Sequence, residues 1–190
     1  PGVSRVRGVR MYCHGFEENE DYQMIDISHN GYVYRDDSIY HRRRVLHLAG
    51  DVYVIDDQVT GLGLDEHDIR LYFNFAFGHL EQQEDGVFGY VSQKGRRYQL
   101  VSKATKEVDY EVLEGSDDPI GGWLSYGYAW KKPTPQLAVK ANGPVPVRFL
   151  TIIKPEDTKV IAQVGLDEIR VTLADGTTAV IGQEDVKVTK

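Results

Sequence analysis

The stretch Tyr40 to Gly61, YHRRRVLHLAGDVYVIDDQVTG, decides the fold. It reads as two antiparallel strands joined by a tight turn at Ala49-Gly50-Asp51. The first strand opens on a histidine and three arginines, and the second closes on Asp56 and Asp57. A strand rises about 3.3 Å per residue and a hairpin folds it back on itself. The cationic end, Tyr40 to Arg44, therefore lies beside the acidic end at one rim of a sheet. Ordinary β-packing does not ask for that much charge at the ends of an apolar hairpin. Two readings stay open: the charges clasp one another, or they face a charged ligand.

Working outward, turn signals recur every 8 to 12 residues, as they do in β-sandwiches. Upstream, Val3 to Tyr12 reads as a strand and His14 to Asp21 as an acidic loop. Tyr22 to Ser28 is then an alternating strand, and Asn30-Gly31 has the form of a hairpin turn. Tyr32 to Tyr34 returns, and Arg35-Asp36-Asp37 turns into the central hairpin. Downstream, Ile69 to Phe77 (IRLYFNFAF) reads as one long strand with Leu71, Phe73, Phe75 and Phe77 on its core face. Shorter strands follow at Gly86–Ser92, Arg97–Lys103, Lys106–Leu113, Leu137–Lys140, Val145–Lys154 and Val160–Val164. Last comes a hairpin, Glu168–Leu173 and Thr177–Ile181, turned by Asp175-Gly176. No capped helical pattern is long enough to hold. The expected fold is all-β, a large antiparallel β-sandwich with little or no helix, in one domain over residues 1–190.

Composition narrows the function classes. Of 190 residues, 41% are hydrophobic and 27% charged, which suits a packed core. A net charge of −7 opposes generic nucleic-acid binding, because a phosphate backbone is held by a basic excess. Arg42, Arg43 and Arg44 are then a local basic spot suited to an anion. One cysteine, Cys13, excludes an internal disulfide and a thiolate-rich zinc cluster. No apolar run approaches a membrane span. The chain starts at Pro1 inside what reads as folded β-sequence, so we expect a fragment of a longer protein.

Four motifs in order carry a resemblance: DYQMIDISHNGYVY (21–34), IYHRRRVLHLAGDVYVIDDQVTG (39–61), DEHDIRLYFNFAFG (65–78), and GGWLSYGYAWKKPTPQL (121–137) followed by VRFLTIIKP (147–155). Together they resemble the carboxy-terminal β-sheet domain of the heparinase II/III-like polysaccharide lyases. The resemblance implies a parent with an amino-terminal α/α-toroid that supplies the catalytic tyrosine and most of a cleft. It implies cleavage of a uronate-containing acidic polysaccharide, such as a glycosaminoglycan or alginate, by β-elimination. It also implies a bacterial, extracellular or periplasmic location. In that reaction the uronate carboxylate must be neutralised before a base can remove the neighbouring proton. Without a toroid, these residues alone should be inactive.

The same resemblance supplies candidate residues. His41 and His29 are the catalytic candidates, and Arg43 the candidate for the substrate carboxylate. Arg42 and Arg44 fall on the opposite strand face, with Leu46 and Leu48, and are expected against Asp56 or Asp57. The family's structural zinc would be held here by His41, Asp57 and a third residue, Asn74 or His79. Asparagine is a poor zinc ligand, so a plain His41–Asp57 hydrogen bond is the primary reading and zinc the alternative. His29 reads as a turn histidine or as a cleft-rim group. From the residues themselves, Tyr128, Trp130 and Lys131 suit an anionic sugar, since sugar C–H faces pack on aromatic rings. Trp123 reads as a plug at the sandwich edge. The rival function is a non-catalytic carbohydrate-binding or structural sandwich.

Overall fold

The computed structural model describes residues 9–33 and 38–190. Among these the strands are β1 (Met11–Glu18), β2 (Tyr22–Tyr32), β3 (Ile39–Leu48), β4 (Val52–Thr60), β5 (His67–Asn74), β6 (Gly78–Glu84) and β7 (Val87–Ser92). They continue as β8 (Arg97–Ala104), β9 (Asp109–Glu114), β10 (Ser116–Asp117), β11 (Ile120–Gly121), β12 (Trp123–Gly127) and β13 (Trp130–Pro133). The last are β14 (Pro135–Gly143), β15 (Val147–Pro155), β16 (Val160–Val164), β17 (Ile169–Leu173), β18 (Thr178–Ile181) and β19 (Val186–Thr189). The fold is all-β, as expected.

An eight-stranded sheet in the order β1-β2-β3-β4-β15-β8-β7-β6 forms the middle of the molecule. Side chains alternate across it, and each face has its own core. Odd-numbered residues of β4 and β15 (Ile55, Val59, Val147, Phe149) pack with Leu71 and Phe73 of β5 and Leu137 and Val139 of β14. That core lies under the three-stranded sheet β5-β14-β9. Even-numbered residues (Leu46, Leu48, Val52, Val54, Leu150, Ile152) pack with Ile169, Val171 and Ile181 of the sheet β16-β17-β18-β19. The sandwich thus has three layers, and β4 and β15 serve both cores.

The central hairpin forms as read, with Gly50 and Asp51 at positive φ (72° and 56°) in the turn and Arg43 opposite Asp57, Arg44 opposite Asp56. Four local readings are corrected. First, His14 to Asp21 is not a loop. Most of it is in β1, paired to β2 with a bulge between Cys13 and Gly15. Second, Asn30-Gly31 is not a hairpin turn, because β2 runs on to Tyr32. Asn30 is held in the ladder by exchanging backbone and side-chain bonds with Arg10. The readings that fall on residues 1–8 and 34–37 lie outside the described residues. Third, the long strand ends at Asn74, where the chain leaves the small sheet, and Phe75 and Phe77 lead into β6 of the large one. Fourth, β19 closes the last sheet beyond the expected hairpin.

Candidate functional site at the charged rim

Because Asp56 and Asp57 are consecutive on β4, they point to opposite faces, and each collects arginines from its own side. Asp56 faces the β16–β19 layer. Its Oδ2 accepts from Arg44 Nε and Nη2 (3.0 and 2.7 Å) and its Oδ1 from Arg148 Nε (2.8 Å). Arg148 also donates to the carbonyls of Leu166 and Ile181. All three charged side chains are buried, at 2% exposure or less. This is a pin between layers. Arg42 departs from expectation: instead of Asp56 or Asp57 it takes Asp26 of β2, at 3.0 and 2.7 Å, and the carbonyl of Gln183. Its parity was right, but Arg44 and Arg148 already saturate Asp56.

Asp57 faces the other way. Its carboxylate, fully buried, receives Arg43 in a two-point pair (Nε to Oδ1 2.7 Å, Nη2 to Oδ2 3.0 Å) and His41 Nε2 at 2.6 Å. The Arg43 guanidinium also lies 5.5 Å from the centre of the Phe73 ring on β5. Arg43 Nη1 takes part in neither bond, and the side chain keeps 29% exposure. His41 turns its other nitrogen, Nδ1, to His29 Nε2 at 3.2 Å. The two rings meet edge to face.

The proton positions in this chain follow from one backbone donor. The Gly31 N–H donates to His29 Nδ1 at 3.1 Å, so Nδ1 carries no proton and a neutral His29 holds its proton on Nε2. That proton is donated to His41 Nδ1, which leaves His41 protonated on Nε2, where it donates to Asp57. Gly31, Asn30's partner in the apparent turn motif, is thus the amide that sets the tautomer. A β-carbon on Gly31 would stand 3.1 Å from His29 Nδ1. Burial, and secondarily the neighbouring His41, lower the His29 pKa from its ordinary value, in keeping with a neutral ring.

Two adjoining cavities, about 410 and 690 Å³, share Tyr32, His41 and Arg43 in their walls. The smaller runs along β1 and β2 past His29. The larger passes between Arg43 and the first half of β5, where Glu66, Asp68 and Arg70 join the lining. Sequence reading missed these three. Their signal was the polar half of the β5 alternation. The arrangement offers an anion a guanidinium with one free edge, backed by a carboxylate and two neutral imidazoles.

The family model for the heparinase II/III-like C-terminal domain matches residues 5–176. The chain belongs to this family. Solved structures agree in fold. A heparinase III superposes with a TM-score of 0.70 at 16% identity, covering 95% of this chain and 27% of that one. The heparan sulfate lyase HepC of Pedobacter heparinus gives 0.68 at 11% identity, covering 91% and 28%. No curated protein matches. The chain therefore spans little more than a quarter of these relatives.

Other expected site residues of the heparinase II/III-like domain do not converge here. Asn74 lies on the exposed face of β5 and accepts from Gln136. His79 is exposed on β6, near Glu81. Strand β6 is five places from β3 in the sheet order, so His79 is about 24 Å from His41 at ~4.8 Å per strand. Neither completes a zinc site with His41 and Asp57, whose ligand atoms are bonded to each other and to Arg43. No group of three or more His, Cys, Asp or Glu able to hold a metal occurs among the described residues. The His41–Asp57 hydrogen bond is the observed state. Tyr128, Trp130 and Lys131 belong to the β12–β13 ribbon at the far end of the small sheet. Trp123 is half-buried at its base, donating to the Ser116 carbonyl.

Proposed function

We propose that in the full-length protein this domain forms one wall of a cleft for a uronate-containing acidic polysaccharide, which the protein cleaves by β-elimination. The wall faces an amino-terminal α/α-toroid that supplies the catalytic tyrosine. Family membership supports this reading, and the observation that carries it is Arg43. Arg43 is held by Asp57 and Phe73 with one guanidinium edge open to a cavity. That edge is suited to a sugar carboxylate. Neutralising this group makes the adjacent C–H bond more acidic, which is the electrostatic need of the reaction. His41 and His29 complete the wall as hydrogen-bonding groups whose tautomers are set in advance. An extracellular or periplasmic location accords with such a substrate.

One observation favours the non-catalytic alternative. Both nitrogens of His41 and of His29 already have partners, so neither ring has a free base nitrogen in this state. The two readings part in one experiment. The full-length protein is incubated with heparan sulfate, alginate and other acidic glycans, and the ultraviolet absorbance of an unsaturated uronate product is followed. A rise that is lost in Arg43→Ala supports the lyase. Binding without any rise supports the carbohydrate-binding wall, and neither binding nor rise removes both.

A further inference from the structure

We infer that the β12–β13 ribbon is a second glycan contact, a stacking platform for an acidic polysaccharide beside, and separate from, the Arg43 cleft. It rests on the reading above that the parent handles such a polymer. The ribbon joins the small sheet where Thr134 donates to the Gly122 carbonyl, beside the start of β14. The larger cavity lies toward the other end of that strand, where Gly143 pairs with His67 and Val145 enters the lining. The cavity also reaches back along the strand to Tyr72, opposite Ala138, and Arg43 itself lies against Phe73, opposite Leu137 and two residues from Pro135. The ribbon's base is thus about 7 Å along the strand from the residue that backs Arg43, and one polymer can touch both.

The ribbon shows solvent a set of rings with little behind them. Tyr126 is 73% exposed, Tyr128 fully so and Trp130 36%. Tyr126 and Trp130 lie across the hairpin from each other with ring centres 5.4 Å apart and planes 30° from parallel. Ser125 Oγ braces this presentation between the carbonyls of Trp130 and Gly127 (2.6 and 2.9 Å), with its one proton available to either. Tyr126 is backed edge-on by Phe77, 6.2 Å away, and rings exposed and stacked in this way form the kind of surface on which sugar C–H faces pack.

Charge selects the kind of sugar. Lys131 is already used: its ammonium sits 3.6 Å over the Trp123 ring and 3.3 Å from Asp117. The sequence-based assignment of Lys131 to the ligand therefore passes to its neighbour. Lys132 lies 5.5 Å over Trp130 and forms no ion pair among the described residues. A cation held over an indole, with no carboxylate of the described residues paired to it, is left for the carboxylates or sulfates of an anionic polymer.

The test measures binding of heparan sulfate, alginate and uncharged dextran to the full-length protein, read by tryptophan fluorescence and calorimetry. The variants are Tyr126→Ala/Trp130→Ala, Lys132→Ala and Arg43→Ala, each checked for an unchanged Tm. We expect the ribbon double variant to weaken acidic-glycan binding about tenfold or more, Lys132→Ala to weaken it in a salt-dependent way, and dextran not to bind. Two results overturn the inference while leaving the Arg43 cleft standing. One is glycan binding that responds to Arg43→Ala but not to the ribbon variants. The other is a ribbon substitution that changes the chain's own association state and not its glycan affinity. Absence of all acidic-glycan binding would overturn the cleft reading with it.

Discussion

The neighbouring carboxylates of β4 invite a paired perturbation, Asp56→Asn against Asp57→Asn. Both side chains are fully buried, so burial of the carboxylate does not separate them. Their partners do. At Asp56 the change leaves Arg44 and Arg148, at 1% and 2% exposure, sharing one amide oxygen inside the β16–β19 interface. An uncompensated buried charge of this kind costs about 3–5 kcal/mol. At Asp57 the stranded partners are Arg43 and His41, with 29% and 19% exposure, which can turn toward the cavities. The loss there is nearer that of charge-assisted hydrogen bonds, about 1–2 kcal/mol after solvent screening. With a urea slope of about 2.5 kcal/mol per M, the unfolding midpoint should fall by about 1.2–2 M for Asp56→Asn and by about 0.4–0.8 M for Asp57→Asn. Equal losses, or a larger one at Asp57, would refute the assignment of the pin to Asp56.

Three further outcomes are expected. Nitrogen-15 NMR of the imidazoles should find His29 and His41 both neutral and protonated on Nε2 near neutral pH; a proton on Nδ1 of either ring would break the chain deduced from Gly31. Because the folded His29 pKa lies below the ordinary 6.5, the unfolded chain binds more protons between the two values. Its contribution is complete above 6.5 and is lost as pH falls through the folded value, and His29→Gln should remove that part of the slope in urea midpoints against pH. Gly78→Ala should cost about 1–3 kcal/mol, since the added carbon would stand 2.4 Å from the Val91 carbonyl and 2.6 Å from the Tyr90 ring; a midpoint within error of the parent chain would contradict that packing.

Much of this was legible because strand alternation is a strict code. It placed Arg43 with His41 on one face and Arg44 with Leu46 and Leu48 on the other, while leaving Asp56 and Asp57 both open as partners of Arg44; the structure gives it Asp56. What it could not reveal is which long-range partner arrives. Arg148 reaches Asp56 from 92 residues away, displacing Arg42 to Asp26, and nothing near Asp56 announces it. Turn chemistry misled at Asn30-Gly31, where bonds to Arg10 keep the strand going and the glycine serves as an amide donor to His29. The run Ile69 to Phe77 reads as one strand because Phe75 and Phe77 keep the apolar period while the backbone changes sheets. The place of His79 was hidden for a topological reason: sequence spacing does not reveal that β6 lies at the opposite edge of the sheet from β1–β3.

The back-to-back aspartates also act as a check on assembly. If β4 slid by one position against β3, each carboxylate would be delivered to the wrong layer, and three arginines and His41 would lose their partners together. A slide by two would keep the faces but set Val54 and Ile55, or Gln58 and Val59, where the aspartates belong. The chain thus carries an error signal at its centre: a mispaired version of this hairpin would leave charges without partners between its layers.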